Sequence, residues 1–249
     1  MTVRFDHGPL RAILLDIEGT TTAIDFVSQV LFPYARKHVQ GFVQEHRGSE
    51  ALRAAIEGLR AEHSGDAQRQ LNPPPWREEL ADFEVESVVA YVHWLMDQDR
   101  KSTPLKALQG LIWEAGYRNG ELRSHVFRDV PPALARWHQQ EKDICIFSSG
   151  SVLAQKLLFA HTAAGDLTPF IRAYFDTTTG AKTDAESYRR IATALELRAA
   201  EILFLSDVIA ELDAAQLAGM QTALCARPGQ APTATAEHPV IYTFDEICP

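Results

Sequence analysis

Six short apolar runs constrain the fold of this chain more than any other feature of its sequence. Each run is almost continuously apolar, which predicts β-strands that are buried on both faces of a parallel sheet. The second, third and fourth runs are each followed by a helical pattern, at 152–163, 185–197 and 208–220. Strand and helix therefore alternate, which predicts a doubly wound α/β domain with a mostly parallel sheet. The six predicted strands are 11–17, 143–149, 171–177, 201–207, 221–227 and 240–244.

The stretch 23–124 has a different character, because it contains no convincing strand. It carries three long helical patterns, at 26–46, 49–63 and 83–99. A polar, proline-rich patch at 68–79 interrupts these patterns. We therefore predict an α/β core formed by 1–22 and 125–249, and a helical cap formed by 23–124 that acts as a lid over the sheet.

Composition excludes several classes of function. The chain has 249 residues, of which 46% are apolar and 23% charged, as in an ordinary globular protein. A net charge of −9 argues against binding to nucleic acid or to an anionic membrane. No apolar run approaches the roughly 18 residues of a membrane span, and the N-terminus lacks the apolar core of a signal peptide. We expect a cytoplasmic monomer without nucleic-acid or membrane partners.

The cysteines and the histidines do not form a recognisable metal or redox motif. Cys145 and Cys225 lie inside apolar runs and Cys248 lies next to the end, a spacing that predicts buried thiols in a reducing cytoplasm. The nine histidines show no HExxH pairing. The sequence also lacks a GxxxxGK[ST] loop, a GxSxG elbow and a GxGxxG turn after a strand.

The carboxyl ends of the first four predicted strands are rich in acids, hydroxyls and a lysine. In strand order these residues are Asp16 and Glu18, then Ser148 and Ser149, then Lys182, and finally Asp207 with Glu211 and Asp213 about one helical turn later. Ligands of open α/β sheets bind at this edge, so the residues predict a single site. Each of them alone could be a helix cap or a solvated side chain, but the ordered set is not explained in that way.

These residue types suit phosphoryl transfer. The Asp16 carboxylate can attack phosphorus once the repulsion between two anions is neutralised. Mg²⁺ prefers carboxylate and phosphate oxygens and would be held by acids of the first and fourth strand ends. The Ser148 hydroxyl and the helix N-terminus that follows suit phosphate oxygens, and Lys182 can bridge nucleophile and phosphate. Glu18 can protonate the leaving oxygen and later activate water.

These motifs closely resemble the haloacid dehalogenase superfamily of phosphatases with an aspartate nucleophile. The four signatures of the superfamily occur in order, as DIEGT, SSG, the lysine of TTGAKT, and SDVIAE. The helical stretch resembles the all-helical cap of that superfamily. Glu18 departs from the usual DxD pattern. That departure, with the runs LLDIEGTTT, FPYA, LQGLIWEAGYRNGEL and HVFRDVPPALARW, resembles the enolase-phosphatase (acireductone synthase) family of methionine salvage.

The resemblance implies a bifunctional, Mg²⁺-dependent phosphoric monoester hydrolase with one Mg²⁺ per chain. Its substrate would be 2,3-diketo-5-methylthiopentyl-1-phosphate, which it enolises and then hydrolyses to acireductone and phosphate. The implied roles are metal binding by Asp16, Glu18 (through its backbone carbonyl) and Asp207; substrate binding by Ser148, Ser149 and Lys182; and catalysis by Asp16, Glu18 and Lys182.

Two alternatives to this function stay open at this point. The first is a phosphatase of the same fold that acts on another small phosphate ester. The second is a non-catalytic phosphate-binding module. The base of the enolisation step is not identified by the sequence, although Glu18 is the favoured candidate. The roles of Glu211 and Asp213 are also not identified.

Overall fold

A computed structural model describes residues 9–77, 81–228 and 237–247 of the chain. The chain divides into two compact units. The core unit comprises the residues up to Val27 and those from Arg123 onward, and the helical unit comprises Ser28–Leu122. The described strands all belong to the core unit.

The core unit contains a parallel sheet of six strands in the order β3-β2-β1-β4-β5-β6. The strands are β1 Ala12–Leu15, β2 Asp143–Phe147, β3 Ala173–Phe175, β4 Ile202–Ser206, β5 Gln221–Cys225 and β6 Val240–Ile241. Strand β1 lies between β2 and β4, with Ala12 opposite both Asp143 and Ile202. Strands β2 and β3 therefore lie on one side of β1, and β4, β5 and β6 lie on the other.

The continuous apolarity of the strands follows from their burial on both faces. Every residue of β1, β4 and β5 is buried. On one face, Leu14, Phe147 and Phe204 form a cluster with Tyr188 and Ile191. Burying a side chain of this size contributes about 1.5–3 kcal/mol to folding. The core of the unit therefore forms around the strands whose ends carry the polar residues.

Nine α-helices accompany the sheet in the described part of the chain. They are α1 Ile24–Phe26, α2 Phe32–Glu45, α3 Glu50–Gln68, α4 Ala81–Asp97, α5 Thr103–Arg118, α6 Val130–Gln139, α7 Val152–Ala160, α8 Ala185–Leu195 and α9 Ile209–Leu217. A π-helical turn, Val27–Leu31, connects α1 to α2. Side-chain oxygens of Ser49, Ser102, Ser151 and Asp184 cap α3, α5, α7 and α8, as expected for these residue types.

The helical unit has a core of its own, which contains several paired polar groups. The Tyr91 hydroxyl donates to the buried Asp66 carboxylate at 2.8 Å, and Arg100 is 3.1 Å from the same carboxylate. The Trp113 indole donates to the backbone oxygen of Leu31 at 2.8 Å. None of the described helices has the length and apolar character needed to cross a membrane.

The six predicted strands are confirmed, although each is shorter than its apolar run. The last run, 240–244, is a strand only over Val240–Ile241 and continues into a 3₁₀ turn at Phe244–Glu246. Helix α6, which contains Pro131 and Pro132, was not among the predicted helices. These prolines lie in its first turn, where a helix needs no backbone N–H donor.

The predicted burial of Cys145 and Cys225 is also confirmed, since both are free and buried. Burial raises the pKa of each thiol to about 12, so that both are uncharged. Cys248 lies outside the described residues.

Candidate active site

The candidate site begins at the end of β1, where the order of the strands reverses. Asp16 follows β1 directly, and its backbone N–H donates to Leu205 of β4 at 3.0 Å. Its side chain is buried. Since the carboxyl ends of β1 and β4 flank the switch point of this sheet, Asp16 occupies the position where ligands bind in such folds.

The Lys182 ammonium contacts two carboxylates, one at the end of β1 and one on α9. Its Nζ is 2.6 Å from Asp16 Oδ1 and 2.6 Å from Glu211 Oε2. The backbone N–H of Ile17 also donates to Asp16 Oδ1, at 2.7 Å. One ammonium therefore compensates two buried acids, one at the end of β1 and one on α9.

The charge of Lys182 persists in spite of its burial. Burial alone would lower the pKa of the ammonium, but Asp16 and Glu211 raise it, and the resulting pKa lies above the ordinary value. The loop that carries Lys182 is held on α8, because Tyr188 donates to the Lys182 backbone oxygen at 2.7 Å and Ser187 donates to Ala181 at 2.7 Å. The charge is thus held at a fixed place.

Ser206, the last residue of β4, connects the same two acids. Its Oγ is 3.3 Å from Asp16 Oδ2 and 3.0 Å from Glu211 Oε2, and it accepts the backbone N–H of Val208 at 3.1 Å. A hydroxyl has one hydrogen, so it donates to one carboxylate at a time. The sequence predicts Ser206 at the end of a strand, but no sequence pattern predicts that its hydroxyl contacts both acids.

Asp207 adds a third carboxylate to this edge. Its pKa is raised to about 6, first by burial and then by the nearby negative charge of Asp16. The pKa of Glu211 is also raised, for the same two reasons in the same order. The site therefore concentrates more negative charge than Lys182 compensates.

This donor set fits a hard divalent cation. Asp16 and Asp207 supply carboxylate oxygens. Their negative charges repel one another, and a bound cation would relieve this repulsion. Within the described ranges, no three His, Cys, Asp or Glu residues gather as a closed metal cage. Mg²⁺ is typically bound by one or two protein carboxylates, and carbonyl, water and substrate oxygens complete its coordination shell. A structural zinc site, in contrast, has four protein ligands.

Glu18 lies in a tight loop immediately beyond Asp16. Gly19 has φ +72°, a conformation that favours glycine, and its N–H donates to Thr22 at 2.8 Å. Glu18 forms an isolated bridge with Thr22 and is partly buried. The loop therefore turns back on itself directly after β1, while the roles predicted for Glu18 stay predictions.

The hydroxyls after β2 are brought to the same edge of the sheet, because β2 is parallel to β1. Ser148 is buried and its Oγ accepts the N–H of Gly150 at 3.3 Å, whereas Ser149 is exposed. At the start of α7 the N–H of Val152 donates to Asp176 at 3.4 Å. One amide expected to hold phosphate thus already has a protein partner, and phosphate binding by Ser148 and Ser149 stays a prediction.

The fold agrees with what comparisons with known proteins show. The model of the haloacid dehalogenase-like hydrolase family matches residues 10–219. "Enolase-phosphatase E1" of Sorangium cellulosum is 48% identical over 241 residues, which are 97% of this chain and 98% of that protein. The chain belongs to the enolase-phosphatase E1 family of haloacid dehalogenase-like hydrolases. It is therefore a phosphatase.

Other members of the enolase-phosphatase E1 family and a solved structure extend the match. "Enolase-phosphatase E1" of Synechococcus elongatus is 48% identical over 238 residues, or 96% of this chain and 98% of that protein. The crystal structure of the UTR4 protein of Saccharomyces cerevisiae is 35% identical, with a TM-score of 0.77 over 95% of this chain and 99% of that chain. The similarity covers both units of the chain.

The two acids of α9 separate in this enolase-phosphatase E1 family member. Glu211 joins Lys182, but Asp213 is 2.9 Å from His238 Nε2. The buried His238 ring also contacts the Thr222 hydroxyl through Nδ1, at 2.8 Å. Asp213 therefore connects α9 to the segment before β6. Of the acids predicted at this strand end, Asp207 and Glu211 belong to the site and Asp213 does not.

Proposed function

We propose that this chain enolises 2,3-diketo-5-methylthiopentyl-1-phosphate and then hydrolyses the enol phosphate to acireductone and inorganic phosphate, in methionine salvage. One observation carries the proposal. The chain is 48% identical over nearly its full length to proteins named enolase-phosphatase E1, and it places a buried carboxylate, Asp16, beside the Lys182 ammonium at the switch point. Glu18, two positions after Asp16 in the sequence, is the general acid of this proposal.

Asp16 acts as the nucleophile in the hydrolytic step. Its carboxylate forms a bond to phosphorus as the bond between phosphorus and the enol oxygen breaks, and Glu18 gives a proton to the departing oxygen. Glu18 then takes a proton from water, which attacks phosphorus and releases inorganic phosphate and free Asp16. Lys182 pairs with the Asp16 carboxylate and compensates charge on the phosphoryl oxygens.

One Mg²⁺ per chain is held by the carboxylates of Asp16 and Asp207 and by the backbone carbonyl of Glu18. When bound, this cation neutralises the charges of the phosphate and the carboxylates. The raised pKa of Asp207 supports the site, because burial first and the charge of Asp16 second disfavour its carboxylate, and a bound cation would offset both.

The remaining roles concern the substrate. Ser148, Ser149 and Lys182 bind its phosphate group. Glu18 takes the proton from the carbon that bears the phosphate in the enolisation step. The helical unit, Ser28–Leu122, corresponds to the cap predicted over 23–124.

We also propose that the protein is a cytoplasmic monomer that binds a small phosphorylated diketone and neither nucleic acid nor membrane. The free, buried thiols of Cys145 and Cys225 fit a reducing compartment. The strand ends that form the site all come from one chain, so the site needs no second subunit. Size-exclusion chromatography with light scattering tests the monomer.

The substrate is tested by incubating the purified protein with the diketo phosphate and Mg²⁺. We expect inorganic phosphate together with the absorbance of a conjugated enediol, and Asp16→Asn should lose both by about 1,000-fold or more. Phosphoglycolate and sugar phosphates serve as comparison substrates. Hydrolysis of those esters without enediol absorbance would identify a phosphatase of different specificity. Undiminished phosphate release by Asp16→Asn would contradict the nucleophile.

A further inference from the structure

A buried guanidinium lies against the loop that follows β1. Arg227, two residues beyond β5, has a side chain that is 3% exposed. The centre of its guanidinium is 4.5 Å from the ring centroids of both Phe127 and Phe244. Its Nη1 is 2.6 Å from Asp129, and its Nε donates to the backbone oxygen of Thr20 at 2.8 Å. Its Nη1 also donates to the backbone oxygen of Tyr242 at 3.4 Å, so the group is held by two rings, one carboxylate and two carbonyls.

Asp129 fixes this arrangement from the other side. The same Oδ2 atom that contacts Arg227 accepts the backbone N–H of Phe244 at 2.6 Å. The cluster thus ties together the loop after β1, the start of α6, the end of β5 and the segment after β6. These four segments are far apart in the sequence, so the cluster fixes their positions relative to one another.

Stability alone does not explain an arginine at this position. Burying an ion pair costs desolvation, and well-packed apolar residues of similar volume often give equal or greater stability. Between two phenyl rings, a methionine could occupy much of the same space. An apolar residue would lose the polar contacts of Arg227, and one of these, the donation from Nε to the backbone oxygen of Thr20, reaches the loop after β1 from 207 positions away in the chain.

The loop that receives this hydrogen bond is closed by its own backbone hydrogen bonds. The backbone N–H groups of residues 20–22 donate to Ile17 at 3.2, 2.9 and 2.9 Å. Gly19 closes the loop from the other direction through its bond to Thr22. Because Glu18 lies between Ile17 and Gly19, a displacement of the carbonyl at position 20 is transmitted to the backbone of Glu18.

We propose that Arg227 is a positioning residue for catalysis: through the Thr20 carbonyl it holds the loop that presents Glu18. Arg227 needs no contact with the substrate in this role. The inference rests on the proposed function in one respect, the acid–base role of Glu18.

The first test is Arg227→Met in the Mg²⁺-loaded full-length enzyme, assayed with the diketo phosphate. Misplacing a catalytic group by about 1 Å can cost about 100-fold in rate, so we expect kcat to fall by about that factor. KM should change by less than about threefold, because Arg227 does not bind substrate. Arg227→Lys keeps the positive charge beside Asp129 and should recover part of kcat. A rise in KM with unchanged kcat would overturn the proposal.

The second test is a double-mutant cycle with Glu18→Gln. If Arg227 acts through Glu18, then Arg227→Met should cause no further loss in the Glu18→Gln background. Multiplicative losses in the double variant would show that Arg227 acts independently and would overturn the proposal. If Arg227→Met does not fold, as judged by circular dichroism, the same cycle is run with Arg227→Lys.

Arg136→Met provides a matched control. Arg136 donates to the backbone oxygen of Phe244 at 2.8 Å and is 3.4 Å from Asp245, so it holds the same C-terminal segment. No described contact joins it to the loop after β1. We expect Arg136→Met to lower Tm and to leave kcat unchanged. If Arg227→Met and Arg136→Met lowered Tm equally and also lowered kcat equally, Arg227 would have only a structural role. That result would refute the proposal.

Failure of the substrate assignment is distinguishable from failure of this inference. The cycle is repeated with p-nitrophenyl phosphate, whose hydrolysis requires no enolisation. If the wild-type enzyme hydrolyses this ester but not the diketo phosphate, the proposed substrate is wrong, and the coupling between Arg227 and Glu18 is still measured. Non-additive losses on this ester support the positioning role, and multiplicative losses refute it.

Discussion

Lys182 and Asp16 form a buried ion pair, with Nζ and Oδ1 2.6 Å apart and side chains that are 10% and 6% exposed. The same ammonium is equally close to Glu211. In a site of low polarity, this one positive charge compensates both carboxylates. Lys182 therefore contributes both to the environment of the candidate nucleophile and to the stability of the core unit.

Lys182→Met should impair both properties. Without the ammonium, Asp16 and Glu211 remain as adjacent buried carboxylates, which should lower the free energy of unfolding by about 3–5 kcal/mol at pH 7. Phosphate release should fall by about 100-fold or more. Urea denaturation and a phosphate assay check these values. Lys156→Met on α7, which changes a lysine over the Tyr174 ring, should leave phosphate release unchanged.

Glu211 and Asp213 provide a matched pair of acids on α9. Glu211→Gln removes one partner of Lys182, so we expect phosphate release to fall by about 10- to 100-fold. Asp213→Asn changes only the contact with His238 and should leave kcat within about twofold of wild type. The measurement is kcat for both variants side by side. Equal losses would contradict the separation of the two acids.

The raised pKa of Asp207 predicts a specific dependence of stability on pH. Its pKa rises from 3.8 to about 6 on folding, so between these values the folded protein binds more protons than the unfolded chain. The contribution of Asp207 to stability therefore decreases as pH rises through this window. For the metal-free protein, lowering the pH from 7 to 5 should raise Tm more in the wild type than in Asp207→Asn.

The same carboxylate should make the effect of Mg²⁺ on stability depend on pH. A metal ligand must lose its proton, so Mg²⁺ should raise Tm more at pH 7 than at pH 5. Differential scanning fluorimetry with and without Mg²⁺ measures this difference. A shift of Tm that is the same at both pH values, or that persists in Asp207→Asn, would contradict the assignment of Asp207 as a ligand.

Gly180→Ala should reduce activity without touching a catalytic group. Gly180 has φ +143°, and an added Cβ would overlap the hydroxyl of Ser187, which holds the loop that carries Lys182. We expect kcat to fall by about 10-fold or more as Lys182 moves. Adding Ser187→Ala removes the overlap but not the backbone strain, so it should restore kcat only in part. Complete restoration would show that the strain is unimportant.

The strands and the convergence of their ends were predictable because they follow from local pattern and topology. Continuous apolarity indicates burial on both faces, and parallel strands bring their carboxyl ends to one edge. This reasoning alone places Asp16, Lys182 and Asp207 near one another, without knowledge of any side-chain conformation. The sequence could also have predicted that Glu211 and Asp213 contact different partners, since residues two apart on a helix do not face the same direction.

The contacts of Arg227 were not predictable in the same way. Its partners Thr20 and Asp129 are 207 and 98 positions distant, and they come together only when the order of the strands and the path of the final segment are fixed. No local pattern marks a buried arginine, because arginine is usually exposed. Likewise, the hydroxyl link of Ser206 depends on side-chain distances that no spacing rule specifies.

Because β1 lies between β2 and β4, the site at its end cannot form until both neighbouring strands have been synthesised. Asp16 is synthesised early, yet Ser206, which contacts its carboxylate, follows 190 positions later. A ribosome adds residues over many seconds, and domains generally fold as units during that time. The strands on both sides of β1 emerge only after the whole helical unit. A nascent chain that has not yet reached Lys182 and Ser206 therefore carries Asp16 without these partners, and the candidate site is complete only after α9 has been made.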